Sequence, residues 1–110
     1  MSDWQTQFEE MRRQFYPRAV ERLGKTLSML DRLLEKPDDA DLIAEIYRDV
    51  HWLAGAGGTY KIREISDIGR DAEEVCDKYL EEERYLPISE IKFLRSLIES
   101  AHLVLSKQTP

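Results

Sequence analysis

The stretch VERLGKTLSMLDRLL, residues 20–34, carries Val20, Leu23, Leu27, Leu30 and Leu34 at spacings of 3, 4, 3 and 4. Those spacings place all five on one side of an α-helix. The pattern covers only two heptads, too few for a free-standing coiled coil, so the stripe calls for burial inside a bundle. Upstream, Trp4, Phe8, Met11 and Phe15 repeat the helical spacing. They read as a short amphipathic first helix ending before Pro17, because a residue ahead of proline is pushed out of the helical region. Pro17 itself suits the first turn of a second helix, which Lys36-Pro37 closes.

Asp38 or Asp39 can cap a third helix with Leu42, Ile46, Val50, Leu53 and Gly57 inward. A fourth runs from about Arg63, with Ile65, Ile68, Ala72, Val75/Cys76 and Tyr79 inward, into the acidic run Glu81-Glu82-Glu83, read as a solvated helix end. Pro87 and Ser89 mark the start of a last stripe, Ile91, Leu94, Ile98, Ala101 and Leu105. No segment alternates as a half-buried strand does. The expectation is all-α: an up-down-up-down four-helix bundle with an additional short N-terminal helix laid over one end, one domain over 1–110.

Sixteen Lys and Arg against 22 Asp and Glu leave a net charge of −6, which disfavours nucleic acid as a partner in the absence of a basic stripe. A chain of 110 residues buries about two thirds of its surface on folding, enough for a core without staples. One cysteine, Cys76, closes no internal disulfide and points to a reducing, cytoplasmic setting. No apolar run approaches the ~18 residues of a membrane span, and the polar start does not read as a leader. A monomer is expected, since the stripes can all be buried against one another.

The chemistry lies in DVHWLAGAGGTYKIR, residues 49–63. At 100° per residue His51 falls about 130° from the middle of the apolar face of the third helix, on the solvent side. Stacked above it on the same strip stand Ala54, Gly55 and Gly58, all small. An imidazole surrounded by bare backbone can be approached closely by another protein. Three interior glycines, Gly55, Gly57 and Gly58, forgo roughly 2–3 kcal/mol of helix stability, which a docking clearance would justify. The competing reading is that GAGG ends the helix with a left-handed glycine cap.

His51, Leu53, Gly55 and Gly58 resemble the signature of histidine-containing phosphotransfer (HPt) domains, and Thr59-Tyr60 resembles the Thr-Phe that follows it in chemotaxis kinases. Length, helix count and the place of the histidine midway along a bundle helix are similar as well. Two positions depart from the family: Ala54 stands where many members carry lysine, and Lys61 where glycine is usual. The resemblance implies a carrier rather than an enzyme in its own right, passing a phosphoryl group between His51 and a receiver-domain aspartate. It implies no cofactor on this chain, with Mg²⁺ held by the receiver, and response-regulator receivers or a hybrid histidine kinase as partners. With no room for a kinase or receiver segment in 110 residues, a stand-alone shuttle is expected.

Neutral imidazole suits the task, its ordinary pKa lying near 6.5. Arg48, one turn before His51 and about 60° around, is the nearest replacement for the missing lysine, or else a solvated arginine without a partner. Lys61 can reach a docked partner or remain solvated. Trp52 projects outward on the other side of the third helix, to pack on a neighbouring helix or to contact a partner, and packing is the expectation. His102 flanks the last stripe, and its single E-x-x-H falls short of a di-metal set, so no metal site is expected. The rival function is a helical module that docks receivers or kinases and inhibits them without being phosphorylated.

Overall fold

The computed structural model describes residues 3–81 and 85–108, which form four α-helices with no strand among them. These are α1 (Asp3–Glu35), α2 (Ala40–Thr59), α3 (Arg63–Glu81) and α4 (Ile88–Ser106). The break expected at Pro17 is absent, so the additional short N-terminal helix is not a separate element but the opening turns of α1. Pro17 lies on the exposed side of α1. The Arg13 carbonyl, deprived of an amide partner, therefore faces water, and the column Phe15, Ala19, Leu23 passes the proline buried without interruption.

The inner column of α1 is also turned by part of a step from the leucine stripe. Phe15, Ala19, Leu23, Thr26, Leu30 and Leu33 are buried, while Val20, Leu27 and Leu34 are half-buried at its edges. Thr26 earns the inner place through its hydroxyl, 2.7 Å from Asp49 Oδ2 on α2 and 3.0 Å from the Arg22 carbonyl. In α2 and α4 every expected inner position is buried. In α3 the centre is Ile65, Gly69, Ala72, Cys76 and Tyr79, with Ile68 and Val75 at its margins. Asp39 is the residue that caps α2, its carboxylate accepting from the Leu42 amide at 3.1 Å. Glu81 ends α3 exposed, and Glu82 and Glu83 of the acidic run lie outside the described residues.

All four helices contribute to one apolar core. Helix α1 packs on α2 and α4, and α3 packs on the same two. Phe15 stands opposite Tyr60 and Arg22 opposite Asp49, so α1 and α2 run antiparallel. Between α1 and α4, Arg95 donates to Asp31 at 2.7 Å, which holds the Asp31 carboxyl below its ordinary range, and within α4 it donates to Glu99 at 2.7 Å. No helix among the described residues is long and apolar enough to cross a membrane.

Helices α2 and α3 meet backbone to backbone at two glycines. A Cβ on Gly57 would lie 2.4 Å from the Ser66 amide nitrogen, and one on Gly69 would lie 2.6 Å from the Ala54 Cα. Both obstacles are backbone, so neither position accepts a methyl group without the helices moving apart. Gly58 differs, because nothing approaches its Cβ position within 4 Å. Gly57→Ala and Gly69→Ala are therefore expected to cost about 1–3 kcal/mol each by overpacking. Gly58→Ala should gain about 0.5–1 kcal/mol from helix propensity. Urea unfolding of the three variants checks this, and equal responses would contradict the assignment of Gly57 to packing.

Candidate functional site

Helix α2 places Tyr47, His51, Gly55 and Gly58 along one outer strip, with α1 on one flank and α3 on the other. The His51 side chain is 72 % exposed, and its Nδ1 lies 2.5 Å from Oε2 of Glu73 on α3, a carboxylate that is only 24 % exposed. A carboxylate oxygen only accepts, so Nδ1 is the donor in this pair, which in the neutral ring leaves the lone pair on Nε2. One turn earlier Tyr47 lies roughly parallel to the imidazole, ring centroids 6.3 Å apart. The Tyr47 hydroxyl donates to Asp77 Oδ1 at 2.8 Å, which raises it above the ordinary tyrosine range. Two α2–α3 pairs, His51–Glu73 and Tyr47–Asp77, thus fix the rim of the site.

Gly55 and Gly58 are exposed and open at Cβ, so α2 itself projects no side chain at these two positions of the strip. Ala54 sits elsewhere: it is half-buried beneath Gly69 and belongs to the α2–α3 contact. Arg48 is exposed and makes no side-chain hydrogen bond or ion pair with a described residue. Trp52 packs towards α1 as expected, 5.9 Å from Phe15 and with the Arg22 guanidinium 4.2 Å over its ring. The same guanidinium donates from Nε to Asp49 Oδ1 at 2.9 Å, tying α1 to α2 two residues from His51. His102 is half-buried on α4. No group of three or more metal-ligating side chains occurs among the described residues. Burial pushes the Cys76 thiol up to about 12, so it stays protonated and inert.

The left-handed residue at the end of α2 is Lys61 and not a glycine. Its φ is 55°, whereas no described glycine has positive φ, so Gly58 is an ordinary helical residue. Ile62 donates to the Gly57 carbonyl at 2.8 Å and Lys61 to that of Gly58 at 3.3 Å, the two bonds of a Schellman ending. The Lys61 ammonium is drawn towards α1, 5.7 Å from the centre of the Phe8 ring.

No family model matches this chain, and neither the curated proteins nor the solved structures yield a match. The chemistry of the site has to be read from its own geometry. Glu73 and Asp77 are the residues sequence reasoning missed, since an acidic residue on a polar helix face has no signature until the neighbouring helix is in register. Their spacing from one another, four residues on α3, matches that of Tyr47 and His51 on α2, which is a signal an antiparallel pairing could have used.

Two outcomes follow from this arrangement. Neutral His51 should show the Nδ1–H tautomer in nitrogen-15 correlation spectra, and Glu73→Ala should return it towards the Nε2–H form that free imidazole prefers. Lys61→Gly should stabilise the fold by about 0.5–1 kcal/mol, the strain of a left-handed lysine exceeding the weak exposed contact with Phe8. A thermal melt at unchanged or lower temperature would count against strain at Lys61.

Proposed function

We propose that this chain is a histidine-containing phosphotransfer domain, an up-down-up-down bundle that carries a phosphoryl group on His51 Nε2. The observation that supports this best is the exposed imidazole whose Nδ1 is held by Glu73, leaving Nε2 as the open nitrogen on the strip that continues into Gly55 and Gly58. In the forward step the Nε2 lone pair attacks the phosphorus of a receiver's aspartyl phosphate. The Nε2–P bond forms, the acyl P–O bond breaks, and the carboxylate leaves as the receiver's free aspartate. The imidazole gains positive charge, which the Glu73 carboxylate offsets while keeping the Nδ1 proton in place.

Mg²⁺ and the groups that neutralise the transferred phosphoryl belong to the receiver in this reading, so positioning across the interface supplies most of the rate. The chain holds no nucleotide and acts in the cytoplasm as a monomer. The open strip at Gly55 and Gly58 lets the receiver's aspartate come within bonding distance of Nε2. A non-phosphorylated docking module is the second reading, favoured by the uncharged Ala54 where a lysine would face the phosphoryl group.

Transfer from a panel of phosphorylated receivers to the purified protein separates the two. His51→Gln should abolish acid-labile label and His102→Gln should leave it. Gly58→Leu should melt no lower than the parent, given its open Cβ position, yet slow transfer at least about tenfold by blocking approach. Label that survives His51→Gln, or binding of receivers without any label, would overturn the carrier reading.

A further inference from the structure

The geometry points to Arg70 on α3 as the side chain that contacts a phosphoryl group on His51, filling in space the role left empty by Ala54. This rests on the carrier reading above. Position 54 lies about 60° around α2 from His51 towards α3, whereas Arg48 lies about 60° towards α1, on the far side of the imidazole. A cation on the α3 flank therefore stands on the side of the imidazole to which position 54 is turned.

Helix α3 brings Arg70 to that flank through two fixed contacts. Gly69, the residue before it, rests on the backbone of Ala54, and Glu73, one turn after it, binds His51 Nδ1. Arg70 is thus held at the height of Ala54, between the imidazole and the glycines. Its side chain also lines the shallow depression floored by Gly57, Gly58 and Ser66. Lys61 and Arg63 stand around the same depression with one carboxylate, Asp67, so an acidic chain turns a locally basic edge towards the strip.

The guanidinium is free to act. Its ion pair is with Asp67, at 3.5 Å, and both side chains are more than half exposed, so little binding strength holds it there. A guanidinium presents two parallel donors to two phosphoryl oxygens, a geometry that lysine at position 54 would not provide. Lys61 is the weaker candidate because its ammonium is turned to Phe8.

Potassium phosphoramidate tests the contact without any partner protein. Its P–N bond breaks, the nitrogen leaves as ammonia, and the Nε2–P bond forms, with the Nδ1 proton remaining between His51 and Glu73. Arg70→Gln should slow labelling of His51 on the order of tenfold and shift the phosphorus-31 resonance of the phosphohistidine at fixed pH. Arg70→Lys should recover part of the rate. Lys92→Gln removes the same charge from the exposed side of α4, a helix that is not α2's neighbour in the bundle, and should leave rate and resonance unchanged.

A rate within twofold of the parent and an unmoved resonance in Arg70→Gln would overturn the assignment, as would an equal loss in Lys92→Gln. A loss found in Arg48→Gln and not in Arg70→Gln would move the contact to the other flank and overturn it too. The carrier reading fails separately: if no phosphorylated receiver labels the parent protein while Arg70→Gln still slows phosphoramidate, the contact stands and the relay does not.

Discussion

The approach of α2 and α3 backbones at Gly57 and Gly69 is the constraint on which the site depends. Helix axes ordinarily lie about 8–10 Å apart, and glycine in the contact permits the lower end of that range. At larger separation Glu73 would not reach His51 Nδ1, nor would Tyr47 reach Asp77. The glycines weaken their helices locally, and the offset is a pair of rods fixed closely enough to aim a ring. A site built on packed helices holds its geometry better than one built on loops.

The opposite flank of α2 is fastened by different means. Thr26 is fully buried and shares the Asp49 carboxylate with Arg22, whose guanidinium covers Trp52, while Phe15 stacks on Tyr60 at 4.2 Å. Arg22 is 40 % exposed, so its ion pair adds little by itself. The Thr26 hydroxyl matters more, because a buried hydroxyl left without a partner costs about 1–3 kcal/mol. Helix α2 is thereby gripped by polar contacts towards α1 and by shape towards α3, and His51 stands on the free side between them.

Much of this was legible in the residues. The inner positions of α2 and α4 follow their apolar spacing without exception, and the outward face of His51 follows from the same spacing. Pro17 misled because its local preference is opposed by a buried column on both sides of it, and proline on a solvated face removes only one hydrogen bond. Thr26 hid among leucines because its burial depends on a carboxylate more than twenty residues away. Glu73 and Arg70 were illegible for a related reason: their relation to His51 is set by the register of α3 on α2, and that register is decided by where backbone touches backbone. Lys61 was read for its charge, whereas its left-handed backbone is the more informative property.

Helix α1, at 33 residues, is about 50 Å long, while α2, at 20, spans about 30 Å. From Asp3 to Gln14 it is exposed at every position except Phe8 and Arg12. A helix of about 12 residues is marginal in water because nucleation is unfavourable and few bonds follow it. This one escapes nucleation by propagating from turns already formed at Phe15 and Ala19, but Pro17 breaks the amide ladder just where propagation has to cross. Phe8 beside the Lys61 turn is one contact that holds this stretch, and Met11 and Gln14 border Trp52 and Tyr60 as well. The far end of α1 and the α2–α3 connection that borders the candidate docking strip therefore share one surface, so whatever docks over the connection also meets the overhanging helix.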